Sequence, residues 1–288
     1  MIAIWKREIA SYYKCVTGWL LAAFLLIFAG IYCMAYNLSG YYAKFEYVLS
    51  AISFIYLIAV PIISMRTLAE EKRQKTDQLL YSLPLRLSSV VIGKYLGMLM
   101  VLAVPVLIMA LYPLILSQFG AIHYASVYGA LLAFFLLGAC LLSIGLFISS
   151  VTESQVASAV ITLVAMLLLY FMNGLASYIS TESSASLISL MILVVVFAVI
   201  LQLLAKNPII SVLTAVVGCG ALYLWYSSNT SFFSGLFASM LTSISVFDRF
   251  DTFTDGVFDL TAIVYYLSII GVFLFLTIQS MEKRRWNE

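Results

Sequence analysis

Residues 127–149 read VYGALLAFFLLGACLLSIGLFIS and contain no Asp, Glu, Lys or Arg. A helix of about 20 apolar residues crosses the ~30 Å hydrocarbon core of a bilayer with its backbone polar groups satisfied internally, so this run is long enough to span a membrane. Further uncharged runs occupy residues 18–36, 48–65, 95–117, 156–178, 187–205, 208–226 and 261–280. The sequence therefore predicts an all-α membrane protein, a polytopic bundle of about eight transmembrane helices.

The overall composition agrees with this class of protein. Of 288 residues, 64% are hydrophobic and only 10% are charged, whereas about a quarter of the residues in a soluble domain are charged. A net charge of +2 excludes a strongly basic nucleic-acid-binding protein. The four cysteines lack the CxxC spacing of a zinc site and suggest no disulfide framework.

The positions of Lys and Arg predict the orientation of the chain. If both termini are cytoplasmic, 13 of the 15 basic residues fall on the inner side, and only Lys44 and Arg249 fall outside. Cytoplasmic segments of membrane proteins carry such an excess of positive charge. We therefore expect both termini in the cytoplasm.

Two segments outside the spans have a helical pattern. In residues 1–17, apolar side chains recur at Ile2, Trp5 and Ile9, which predicts a helix lying in the inner interface; a continuous extension of the first span remains the alternative. Residues 227–260 are predicted to lie outside, with the short apolar stretch 232–247 as a re-entrant or interfacial helix. A span here would move the basic C-terminus outside.

The outer segment also contains regularly spaced carboxylates. Asp248, Asp251, Asp255 and Asp259 follow each other at three-to-four spacing, which predicts one acidic face on a helix over 248–259. Such a face could bind a cationic substrate, a Ca²⁺ ion or a partner protein. A solvated helix face is the simpler alternative.

No motif for catalysis or metal binding stands out. The predicted spans contain no carboxylate of the kind that binds H⁺ or Na⁺ in ion-coupled carriers. Gly93-Lys94-Tyr95 lacks the remaining residues of a phosphate-binding loop. His123 has no second metal ligand nearby in the sequence. We expect no enzymatic activity, no bound cofactor and no metal site in this chain.

The inner loop 66–94 is the most informative region. Thr67 and Glu70 have capping-box spacing, which predicts the start of a helix, and Pro84 is expected to end it. The helix would carry mixed charges first and an apolar edge of leucines at its end. A short helix of this kind is suited to docking into a groove of a partner protein, although a solvated loop helix has the same pattern.

The loop sequence resembles that of a known family. From Glu70 to Pro84 it follows E-E-x-x-x-x-T-x-x-L-L-x-x-L-P, and Gly93-Lys94 then opens the next span; this resembles the ABC-2 family of ABC transporter permeases. The stretches 245–260, 265–266 and 282–286 look like its gliding-motility-type branch, which is bacterial. In the family, this loop carries a coupling helix that contacts the ATPase subunit. The resemblance thus implies contacts from Glu70, Glu71, Thr76, Leu79, Leu80, Leu83 and Pro84.

The resemblance has consequences for partners and location. It implies a single permease domain over 1–288, in the plasma membrane of a bacterium, with ATP and Mg²⁺ bound by the separate ATPase chain. A second permease subunit, identical or related, would complete the transporter. Permeases of this family usually have six spans, so 187–226 would be an extra hairpin.

The family geometry also suggests a substrate pathway. The second and fifth spans of such dimers line a central cavity, which here implicates Ser53, Tyr56, Ser158, Thr162 and Asn173. The lining would otherwise be apolar, which favours an amphipathic substrate. Helix packing is the alternative role for the small polar residues.

We predict the membrane subunit of an ATP-driven exporter. The alternatives are an ion-coupled secondary transporter and a non-transporting membrane scaffold. The uncharged spans disfavour the first, and the family resemblance disfavours the second.

Overall fold

The computed structural model describes residues 2–40, 44–76, 86–118, 120–180, 182–205 and 208–287, and in these ranges it contains helices but no β-strand. The helices are α1 (Ile2–Lys14), α2 (Val16–Tyr32), α3 (Glu46–Ile52), α4 (Tyr56–Ser64), α5 (Ala69–Arg73), α6 (Leu87–Met109), α7 (Tyr112–Leu116), α8 (Tyr124–Val151), α9 (Gln155–Tyr178), α10 (Ser183–Ala205), α11 (Pro208–Ser228), α12 (Leu236–Ile244), α13 (Asp248–Thr254) and α14 (Leu260–Asn287).

Within the described residues, six helical segments are long and apolar enough to cross a membrane. They are Val16–Ser39, Glu46–Arg73, Leu87–Leu116, Tyr124–Val151, Gln155–Tyr178 and Leu260–Arg285. The predicted class, an all-helical polytopic membrane protein, is therefore confirmed. The apolar helical stretches described within 187–226 and its flanks, Ser183–Val196 and Val212–Ser228, are shorter. A total of eight spans stays a prediction.

The chain forms two compact units, one of residues 1–170 with 246–288 and one of residues 171–245. In the smaller unit, α10 and α11 pack against each other. A 3₁₀ turn, Thr230–Phe233, follows α11. The turn brings the fully buried ring of Phe233 edge-on against Trp225, with ring centroids 5.7 Å apart.

Helix α8 forms the centre of the larger unit, because α4, α6, α13 and α14 all pack against it. Phe134, Leu137 and Leu141 of α8 have no exposed surface. By contrast, α9 leaves most of its apolar side chains exposed in the isolated chain, and α14 exposes a smaller set that includes Leu267 and Val272. Those faces are suited to contact lipid or a second subunit.

The N-terminal helix α1 is separate from the first span. Cys15 between α1 and α2 has an extended backbone, with φ −84° and ψ 153°, so α1 is no continuous extension of α2. Instead α1 packs on α6. Tyr12 fixes it further, since its buried hydroxyl donates to the carbonyl of Ile63 over 2.8 Å. The interfacial position of residues 1–17 remains a prediction.

The second span changes its helical geometry midway. A 3₁₀ turn, Ser53–Ile55, separates α3 from α4, and Pro61 lies inside α4. Proline has no N–H to donate to the carbonyl four residues earlier, which weakens this part of the helix. The break in regular α-helix thus precedes Pro61.

The four aspartates of residues 248–259 do not lie on one helix, and the predicted acidic face over this stretch is wrong. Helix α13 ends at Thr254, and Gly256 then adopts φ +85°, a conformation that turns the chain out of the helix. Asp259 instead precedes α14, where its Oδ1 accepts the N–H of Thr261 over 2.8 Å. Asp259 is therefore positioned as a helix cap.

Candidate coupling site

The loop after the second span begins with α5, and its first N–H groups are bound by α8. Ser149 Oγ accepts the N–H groups of Leu68 and Ala69 over 3.2 and 3.0 Å. The Thr67 side chain bonds to the preceding turn instead, because its hydroxyl donates to the carbonyl of Ser64 over 2.6 Å. The capping box predicted for Thr67 and Glu70 is therefore wrong: a serine from a distant helix occupies the capping position.

A buried lysine holds α5 to α1 and α6. Lys94 lies two turns inside α6 and is only 1% exposed. Its Nζ donates to Glu8 Oε1 over 2.9 Å, to Glu71 Oε1 over 2.8 Å and to the carbonyl of Thr67 over 3.1 Å. A lysine buried to this degree needs such partners, because an unpaired charge in the interior is very unfavourable.

Arg7 completes the charge balance of this cluster. Its Nη2 lies 2.9 Å from Glu71 Oε1 and 3.2 Å from Glu8 Oε1, so two cations face two carboxylates. Arg7 is half exposed, whereas the side chains of Glu8 and Glu71 are only 10% and 17% exposed. Arg7 therefore contributes less than Lys94, since solvent screens its charge.

Further contacts hold the same loop to α2 and α8. Lys72 Nζ donates to the carbonyls of Ser150 and Thr152 at the end of α8, where a cation is favoured by the helix dipole. Arg66 bonds to Thr17 at the start of α2. We refer to Arg7, Glu8, Arg66, Glu71, Lys72, Lys94 and Ser149 together as the loop junction.

Of the predicted ATPase-contact residues, the structure describes the first three, and these make contacts within the chain. Glu71 points into the junction, and Glu70 accepts a hydrogen bond from Arg66 Nε over 3.3 Å. Thr76 donates its backbone N–H to the carbonyl of Glu71 over 3.0 Å. Helix α5 ends at Arg73, and Lys75 adopts φ +56°. Leu79, Leu80, Leu83 and Pro84 lie outside the described residues.

Sequence reasoning missed Glu8, Ser149 and the role of Lys94. From the sequence alone, Lys94 is considered as part of a phosphate-binding loop and as part of the family motif, whereas in the structure its Nζ is bound to two carboxylates. One signal was available: a lone lysine just inside an apolar run must either reach water or find acidic partners. Nothing in the local sequence indicated that Glu8, 86 positions earlier, is one of them.

The pathway residues of the second span are buried in the larger unit. Tyr56 is 1% exposed, its hydroxyl donates to the carbonyl of Phe134 over 2.9 Å, and the two rings lie 4.7 Å apart. A Cβ added at Gly138 would lie 2.8 Å from the Tyr56 ring, so glycine leaves room for it. Ser53 is 7% exposed. These contacts pack Tyr56 within the larger unit, and the pathway role of both residues stays a prediction.

The pathway residues of α9 behave differently. Ser158 and Thr162 are fully buried, and in the described part of the chain their hydroxyls have no hydrogen-bond partner. Asn173, further along the helix, is exposed. Asn173 belongs to the smaller unit, and the pathway role of these residues stays a prediction.

The carboxylates between α12 and α14 have distinct environments. Partial loss of hydration and the nearby charges of Asp248 and Asp255 raise the pKa of Asp251 to about 6. Hydrogen bonds from Thr261 lower the pKa of Asp259. Within the described ranges, no group of three or more His, Cys, Asp or Glu is placed to hold a metal ion.

These features define a polytopic helical membrane protein whose inter-span loop is anchored in a buried ion cluster. Residues 2–209 match the model of the ABC-2 family transporter proteins, so the chain belongs to that family. Membership implies a membrane-spanning subunit that works with an ABC ATPase partner. No curated protein matches the chain.

Proposed function

We propose that this chain is the permease subunit of an ATP-driven exporter of the gliding-motility-type branch, located in the bacterial plasma membrane. Family membership supports the permease role, and the excess of Lys and Arg in the segments assigned to the inner side supports cytoplasmic termini. In this orientation, the loop junction lies at the cytoplasmic end of the bundle, where an ATPase subunit would bind.

The loop junction is the observation that carries the coupling mechanism. The start of the loop is hydrogen-bonded to α6 through Lys94 and to α8 through Ser149 and Lys72. A force on the following residues would therefore move the ends of these helices together with α1. ATP binding and hydrolysis, with Mg²⁺, take place in the ATPase. In this chain, the loop and the helices bonded to it transmit the resulting movement to the membrane spans.

A second permease subunit completes the proposed transporter. The exposed apolar side chains of α9, such as Val160, Val164 and Leu168, offer a surface for this contact. An identical subunit would satisfy the proposal as well as a related one. The substrate would be amphipathic, since the spans offer few polar groups.

The contact with the ATPase is tested by affinity capture. We expect the full-length chain to retain an ABC ATPase and the double variant Leu79→Asp/Leu80→Asp to lose it, because two carboxylates would be placed on the apolar edge of the loop. Met240→Asp/Ile244→Asp is the matched control, as both apolar side chains are exposed on α12, outside the six membrane-crossing segments. Equal retention by both double variants would contradict the proposed contact.

Reconstitution in liposomes separates the exporter from its alternatives. Transport that needs both ATP and the ATPase subunit supports the proposal. Transport driven by an ion gradient alone would establish a secondary transporter, and a complex that never moves a substrate would indicate a scaffold.

The substrate pathway is tested by thiol accessibility. In a cysteine-free background, we expect Asn173→Cys to react with a membrane-impermeant reagent in at least one nucleotide state, because this position is exposed and polar. Tyr56→Cys should stay protected in every state, since Tyr56 is packed against α8. If Tyr56→Cys were labelled and Asn173→Cys were not, the second span would line the pathway instead.

A further inference from the structure

A cavity of about 730 Å³ opens at the end of the larger unit opposite the loop junction. It lies where α3 and α8 begin and where the chain leaves α13. Its polar lining includes Lys44, Glu46, His123, Ser126 and Asp255. Neither the family match nor the coupling mechanism assigns a role to it.

Glu46 is the unusual member of this lining. The residue is only 4% exposed, and its Oε1 accepts the hydroxyl of Ser126 over 2.6 Å. Its second oxygen, Oε2, is buried without a hydrogen-bond partner among the described residues. A carboxylate left half-satisfied in this way is destabilising, and a cationic donor would remove that cost.

A second carboxylate is held at the same side of the cavity. Asp255 precedes Gly256, and a Cβ added at Gly256 would lie 3.3 Å from Ser126 Oγ, the atom that bonds to Glu46. The turn therefore packs directly beside the Glu46–Ser126 pair. The two carboxylates outnumber the single cation in the lining, Lys44, so the cavity favours a positively charged ligand.

An apolar slot of about 110 Å³ adjoins the polar cavity and shares Ser126 and Gly256 with it. Phe253 and Phe258 form its walls, with their rings edge to face and their centroids 5.7 Å apart. Gly129 also lines the slot and has no side chain to fill it. The slot is suited to a small apolar group attached to the charged one.

We propose that this cavity binds an organic ammonium ion, with its N–H groups on the carboxylate of Glu46 and its apolar part in the slot, against Phe253 and Phe258. A metal ion fits less well, because no group of three or more potential metal ligands is present among the described residues. The site lies within one chain and one compact unit. It therefore does not depend on the proposed transport function.

The test uses 2-phenylethylammonium as the probe and the full-length protein in lipid nanodiscs. We expect saturable binding by isothermal titration calorimetry. Binding should weaken about ten-fold or more both for uncharged 2-phenylethanol and for the Glu46→Gln variant, as each removes a charged hydrogen-bond partner. Gln retains the shape of the side chain and can still accept from Ser126.

Two further variants make the outcome decisive. Glu182→Gln removes an exposed carboxylate outside the cavity and should leave binding unchanged. Asp255→Asn changes an exposed cavity residue, so it tests the site even if Glu46→Gln fails to fold. The proposal is overturned if phenylethanol binds as well as the ammonium ion, if neither cavity variant weakens binding, or if micromolar Ca²⁺ displaces the probe by occupying the site itself.

Discussion

Replacing Lys94 by Met is expected to lower the free energy of unfolding by about 3 kcal/mol, because Glu8 and Glu71 would lose their buried cation and keep only Arg7, whose charge is screened by solvent. Methionine keeps most of the length and apolar volume of the side chain. The loss of stability therefore reflects the removal of the charge. Thermal unfolding of the purified protein in detergent measures the effect, and the ATPase rate of the reconstituted complex should lose its dependence on the permease.

Lys14→Met provides the matched control, since Lys14 is an exposed lysine on α1. The triple variant Lys94→Met/Glu8→Gln/Glu71→Gln should recover much of the lost stability, as it leaves no buried charge unpaired. If Lys94→Met and Lys14→Met unfold at the same temperature, the ion cluster contributes nothing to the fold.

Replacing Gly97 by Leu should displace α1 from α6. A Cβ at this position would lie 2.7 Å from Glu8 Cβ, an atom next to the backbone of α1, so the helix itself must shift. We expect a loss of about 1–3 kcal/mol from overpacking, and a further loss as Glu8 moves away from Lys94. The unfolding temperature measures the total loss of stability, and the rate of proteolysis near the N-terminus measures the displacement of α1.

Gly30→Leu is the control for this variant, since an added Cβ there meets no atom within 4 Å. The effect of Gly97→Leu should also shrink in the Lys94→Met background, because both changes disrupt the same contact between α1 and α6. Fully additive effects would show that α1 packing and the ion cluster are independent.

The features that the sequence predicted correctly depend on local pattern. An uncharged run such as 127–149 must be a helix in a membrane, whatever its neighbours are, because its backbone can be satisfied in no other continuous form. The start of α5 could not be predicted in the same way. Thr67 has the right local spacing for a cap, but Ser149 from α8 binds those N–H groups instead.

Long-range pairing limited the prediction of the site. Lys94 was visible in the sequence, but its carboxylate partners come from α1 and from the loop. The prediction from the aspartate spacing was wrong for a different reason. The chain leaves the helix at Gly256, before Asp259, and the periodicity of so short a stretch cannot reveal this. The predicted contact edge at Leu79, Leu80 and Leu83 stays a prediction.

The distance of 86 positions between Glu8 and Lys94 also constrains how the protein is made. A ribosome releases Glu8 long before the helix that carries its cation, so α1 must keep its carboxylate hydrated while the first two spans enter the bilayer. Only when α6 arrives can α1 settle on it and the loop be fixed. We therefore expect the ion cluster to form only after the third span has been inserted.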